Sequence, residues 1–109
     1  MLARVTTFVR DLATGLGGDQ VATVGRLDVH PDLVNVGPST VTMTIDLRNT
    51  DDAILRDAER RLGEFLSAAA ADEGVTVEHR SLARFAPVSF DADMIRLVET
   101  TATTLGYST

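Results

Sequence analysis

Cysteine is absent from the chain, which excludes disulfides and thiolate chemistry. Histidine occurs twice, at His30 and His79, too sparsely for a self-contained histidine-rich metal site. No apolar run approaches the roughly 18 residues that a membrane span needs. Residues 1–16, MLARVTTFVRDLATGL, lack a clean apolar stretch and carry Arg4, Arg10 and Asp11. That makes a poor signal peptide and gives a cytoplasmic location as the expectation. Positive charge is in deficit, with ten basic residues against 16 acidic ones and a formal net charge of −6. A nucleic-acid groove carries a basic footprint, so neither nucleic acid nor membrane is an expected partner. Lysine is missing altogether, every basic residue being arginine; nothing in the sequence explains this.

What remains is an ordinary globular composition. The 109 residues are 44% hydrophobic and 24% charged, too hydrophobic for a disordered chain. At roughly 100–200 residues per domain, this is one domain. It is also short and poor in catalytic residue types, so the chain alone is expected to be inactive. Ser39, Ser67, Ser81, Ser89 and Ser108 show no nucleophile-elbow context. Asp28 and His30 share a strand face and could chelate. Without a second such pair, two exposed polar residues at a strand end are the simpler reading. Gly15-x-Gly17-Gly18 follows a helix rather than a strand, so it fails the context of a phosphate loop.

Leu2, Val5, Val9 and Leu12 recur at helical spacing and predict a helix over 2–14, stopped by the following glycines. Residues 21–30 read as a strand in which Gly25 marks a bulge or a close approach. Pro31-Asp32 and Gly37-Pro38 carry turn chemistry. Over 40–48, Val41, Met43, Ile45 and Leu47 alternate strictly with polar residues, the pattern of a strand with one buried face. Asn49-Thr50-Asp51-Asp52 opens a helix running to about Asp72, with Leu55, Ala58, Leu62, Phe65, Leu66 and Ala69 as its apolar stripe. Gly74 suits a left-handed cap. Val75 and Val77 begin a third strand over 75–85, whose pattern slips near Ser81-Leu82. Ser89 or Asp91 caps a last helix over about 91–105, with Met94, Leu97, Val98, Thr101 and Leu105 on its apolar side. The predicted class is α+β, in the order α-β-β-α-β-α. That is a ferredoxin-like plait lacking its first strand, its sheet antiparallel with helices on one face.

Two polar residues stand out from this frame. Asn35 lies in the loop between the first two strands, and Arg48 ends the second on its polar face. Arginine binds a carboxylate through a planar fork, and asparagine offers a donor and an acceptor together. A small acid could sit between them if the fold brings them together. The ordinary alternative is a turn asparagine and a surface arginine.

The stretch from Val24 to Thr50 resembles a recurrent segment of zinc-dependent amidohydrolases of the N-carbamoyl-L-amino-acid hydrolase and allantoate amidohydrolase type. These belong with the aminoacylase and carboxypeptidase metallohydrolases. The residues that carry the resemblance are Val24-Gly25-Arg26-Leu27-Asp28-Val29, Asn35-Val36-Gly37-Pro38-Ser39 and Asp46-Leu47-Arg48. Gly37 stands where the family has an aliphatic residue, and Ser39 where it has glycine. The resemblance implies a lid or dimerisation domain over 1–88, then a helix over 89–109 leading back towards a catalytic domain outside this chain. It implies that Asn35 and Arg48 bind the substrate carboxylate. It further implies a homodimer, and zinc or another divalent metal in the complete enzyme. No catalytic and no metal-ligating residue of the family matches a position here, and the lid histidine and first strand of the family would precede Met1. The alternative is a free-standing, dimeric ferredoxin-like binding or regulatory module without catalysis.

Overall fold

The computed structural model describes all residues 1–109. Five elements follow one another: α1 (Leu2–Leu16), β1 (Val21–His30), β2 (Thr40–Arg48), α2 (Asp52–Glu73) and α3 (Ala92–Thr104). The α+β class stands, and the hairpin is antiparallel. Val5, Val9 and Leu12 form the buried stripe of α1, as their spacing requires. Gly17 ends the helix at a positive φ of 62°. The Asp51 carboxylate caps α2 by accepting from the amides of Ala53 and Ile54. Gly74 closes α2 in the left-handed conformation. Asp91, rather than Ser89, caps α3 through the Met94 amide.

The hairpin register changes between Val24 and Leu27. Gly25 and Arg26 together oppose Thr44, which defines a β-bulge. The bulge has a sequence-level consequence. Ala22 and Val24 lie on one face before it, and Leu27 and Val29 lie on that same face after it. All four then match Val41, Met43, Ile45 and Leu47 across the ladder. The Thr44 hydroxyl accepts from the Arg26 amide at 2.8 Å. A Cβ at position 25 would meet that same oxygen at 3.1 Å, so glycine fits the close approach.

The core is small. Val5, Val9 and Leu12 of α1 and Leu55, Ala58 and Ala69 of α2 are the buried apolar set. Phe8 and Phe65 stack across the two helices, with centroids 4.0 Å apart. Helix α1 packs on β1 and α2 packs on β2. Of the apolar sheet face, Ala22, Val24, Ile45 and Leu47 are half-buried, while Leu27 and Val41 at the far end are exposed.

Two expectations are corrected. Residues 75–85 do not form a strand; the order is α-β-β-α-α and the sheet has two strands. A strand exists only through a partner's hydrogen bonds, and the alternation begun by Val75 and Val77 is too short to impose a register. The apolar side of α3 is also uncovered: Met94, Leu97, Val98 and Leu105 are all exposed, and α3 buries no residue. The result is an elongated molecule of 61 × 31 × 24 Å with a radius of gyration of 19.2 Å. A compact chain of this length has about 13 Å.

Candidate functional site

Arg48 ends β2 and opposes Val21, at the base of the hairpin beside the helices. Its side chain is 78% exposed. Strand geometry places Asp46 on the same face two residues earlier, and the two side chains meet in a fork. The Nε of Arg48 donates to Oδ1 of Asp46 at 2.9 Å, and Nη2 donates to Oδ2 at 3.3 Å. The hydrogen bond to Asp46, and then its charge, hold the guanidinium above its ordinary pKa. Nη1 makes no hydrogen bond, so one edge of the fork is free for a further acceptor.

Asn35 lies in the loop 31–39 and is exposed. That loop joins His30 to Thr40, which are partners at the other end of the ladder. From Thr40 to Arg48 the strand extends about 26 Å at about 3.3 Å per residue. The structure therefore puts Asn35 and Arg48 at opposite ends of one hairpin and does not bring them together within a single chain. The antiparallel pairing itself causes the separation, since a residue in the hairpin loop and one at the end of its second strand lie a full strand apart.

The base of the hairpin carries a network that the sequence reading missed. Gln20, the one buried polar residue, precedes β1, and Asn49 follows β2. The Asn49 amide donates to Oε1 of Gln20 at 2.8 Å, and Gln20 donates to the Val21 carbonyl at 3.1 Å. Oδ1 of Asn49 accepts from the Asp51 amide at 2.9 Å. Thr50 donates to Asp19 at 2.7 Å alongside. These bonds fix the backbone that follows Arg48 and that of Val21 opposite it. Asn49 was legible as part of a helix start; nothing in the sequence signalled its pairing with Gln20.

The metal that the resemblance implies does not fit the residues of this chain. His30 ends β1 and His79 lies in the segment after α2, and no three His, Asp or Glu side chains gather where an ion could be held. An open groove between α1 and α2, lined by Phe8, Asp11, Leu12, Arg61, Glu64 and Phe65, contains neither Asn35 nor Arg48. No helix is long and apolar enough to cross a membrane.

No family model matches the chain. Over 107 residues it is 30% identical to the N-carbamoyl-L-amino-acid amidohydrolase of Rhizobium meliloti, spanning 98% of this chain and 26% of that protein. Over 50 residues it is 44% identical to the allantoate amidohydrolase of Escherichia coli K12, spanning 46% of this chain and 12% of that protein. The crystal structure of an amidase of the hydantoinase/carbamoylase family from Burkholderia vietnamiensis superposes with a TM-score of 0.89 at 33% identity. That match covers 98% of this chain and 26% of the other. The chain thus spans about a quarter of the length of the relatives it matches end to end.

Proposed function

The chain belongs, over a segment about a quarter of their length, to the N-carbamoyl-L-amino-acid and allantoate amidohydrolases, and from that premise we propose that it is their substrate-holding lid and dimerisation module. Residues 1–88 form the lid, and 89–109, containing α3, lead back towards a catalytic domain. The complete protein hydrolyses the amide of a small carboxylate-bearing substrate, with a divalent metal held by residues outside this segment. The lid closes over that substrate, positions it and excludes water. A cytoplasmic setting is part of this proposal.

The observation that carries the proposal is the free edge of Arg48, an exposed guanidinium on a rigid strand end braced by the Gln20–Asn49 pair. Asn35 supplies the second contact. Because the two lie about a strand length apart, one carboxylate can touch both only when Arg48 comes from one copy and Asn35 from another. A two-fold dimer meets this condition twice, once at each of two equivalent sites.

The test is a chimera in which this segment replaces its counterpart in the Rhizobium meliloti relative. Arg48→Ala in the chimera is expected to lower kcat/KM by about tenfold or more, the size of one lost charge-assisted contact. An active chimera whose kcat/KM ignores the substitution contradicts the assignment.

A further inference from the structure

The segment between α2 and α3 follows the chain for residues 75–91 without helix or strand. No backbone hydrogen bond involves residues 76–90. Val77 and Pro87 are its only half-buried residues. Between Val75, whose amide donates to the Ala70 carbonyl of α2 at 3.0 Å, and Asp91, which caps α3, its polar attachment is Arg84, which reaches back to α2. Nη2 of Arg84 donates to Oδ1 of Asp52 at 3.0 Å, and Nε lies 3.2 Å from Oε1 of Glu59. Asp52 and Glu59 stand two turns apart on α2, so one planar fork spans both. Oδ2 of Asp52 is meanwhile held by Arg56 at 2.8 Å, which fixes the carboxylate that receives Arg84. At 34% exposure, Arg84 is the least exposed of the ion-paired arginines, against 78% for Arg48.

We propose that Arg84 is a clasp that fastens the segment 75–91 along α2 and thereby sets where α3 leaves the lid. The two acceptors make the clasp directional. A single ion pair lets a segment swivel, whereas two pairs along one helix align it. The pairing holds the Arg84 guanidinium above its ordinary value, first through its hydrogen bond to Asp52 and then through that to Glu59. Asp52 is held below the ordinary carboxylate range by Arg56 and then Arg84. Being partly exposed and electrostatic, the clasp weakens in salt. The placement of α3 is therefore adjustable without disturbing the packing of α1 on α2.

The absence of cysteine makes the test clean, because introduced thiols are the only labelling sites. Spin labels at Ser67→Cys on α2 and Thr100→Cys on α3, both exposed, report the position of α3. A second pair, Thr6→Cys with Ser67→Cys, reports the packing of α1 on α2. In low salt the first pair is expected to give one narrow distance population. Arg84→Gln broadens it and Glu59→Gln broadens it partly, while the second pair is unchanged. At about 1 M salt, where the screening length is about 3 Å, the unsubstituted chain broadens and Arg84→Gln does not change further. A first pair that is unaffected by Arg84→Gln, or broad from the start, overturns the proposal. Should Arg84→Gln disturb the second pair as well, the salt and Glu59→Gln arms decide on folded protein. A narrow population persisting in both contradicts the clasp.

Discussion

Arg48 and Gln20 show opposite routes by which a residue becomes important. Arg48 was legible because a lone arginine after a strictly alternating strand is conspicuous, and its Asp46 partner follows from strand period alone. Gln20 was invisible because its significance depends on Asn49, which lies 29 positions away and reaches it only once the hairpin closes. The pair makes a stability prediction. Gln20→Ala leaves the Asn49 amide without its partner, and Asn49→Ala strands the buried Gln20 oxygen. Each is expected to cost about 1–3 kcal/mol, the penalty for an unsatisfied buried polar group, measured by urea denaturation. Acid acts on other residues. Arg60 lowers the pKa of Asp57 chiefly through a hydrogen bond, and Arg56 does the same for Asp52. A lowered carboxyl pKa means that the folded state binds fewer protons than the unfolded one, so stability rises with pH. The contribution of these pairs is complete above about pH 4, the ordinary carboxylate range. It is lost as pH falls through the lowered values, and a far-ultraviolet circular dichroism titration should show helix signal fading there.

The elements whose signals are local stand where their patterns put them: the two strands and the helices bounded by Gly17, Asp51, Gly74 and Asp91. Asp51→Ala is expected to cost about 1 kcal/mol, the usual value of a helix cap. The third strand failed for a physical reason. Period two states which face a residue would take in a sheet but supplies no partner, and none pairs with residues 75–85. Within β1 the bulge at Gly25 and Arg26 shifts the alternation, so that Ala22 and Val24 share a face with Leu27 and Val29. Gly25→Ala pushes a Cβ towards the Thr44 oxygen that holds the Arg26 amide. It should destabilise by about 1 kcal/mol through that bond. Gly63, inside α2 with nothing within 4 Å of a new Cβ, is the matched contrast. Gly63→Ala should stabilise by roughly 0.5–1 kcal/mol. Equal effects at the two positions in thermal or urea unfolding would contradict the bulge geometry.

At the scale of the whole molecule, the surface exceeds what its mass requires. A compact monomer of 11.7 kDa exposes about 5,900 Å², and this chain exposes 8382 Å². The excess, about 2,500 Å², is larger than the about 800 Å² that each partner contributes to a standard interface. Exposed apolar side chains contribute to it at Leu82, Phe85, Val88 and Phe90 and along α3, as suits a surface with neighbours. The isolated chain is expected to bind hydrophobic dye and to sediment as a dimer or larger. A dye-silent monomer at high concentration would contradict both the dimer and the lid reading. The family was legible from the short motifs at Val24-Gly25, Asn35 and Asp46-x-Arg48, because such patterns are local. The separation of Asn35 and Arg48 was not legible, because it depends on the antiparallel pairing that sets the loop and the end of β2 a strand apart.

The most direct measurement of the central claim mixes two impaired chimeras of the Rhizobium meliloti relative, one carrying Arg48→Ala and the other Asn35→Ala in this segment. If each site joins Arg48 of one copy to Asn35 of the other, every mixed dimer holds one intact site and one doubly damaged site. It should then recover about half of the unsubstituted activity. No recovery from verified mixed dimers would contradict a substrate site shared between two lids.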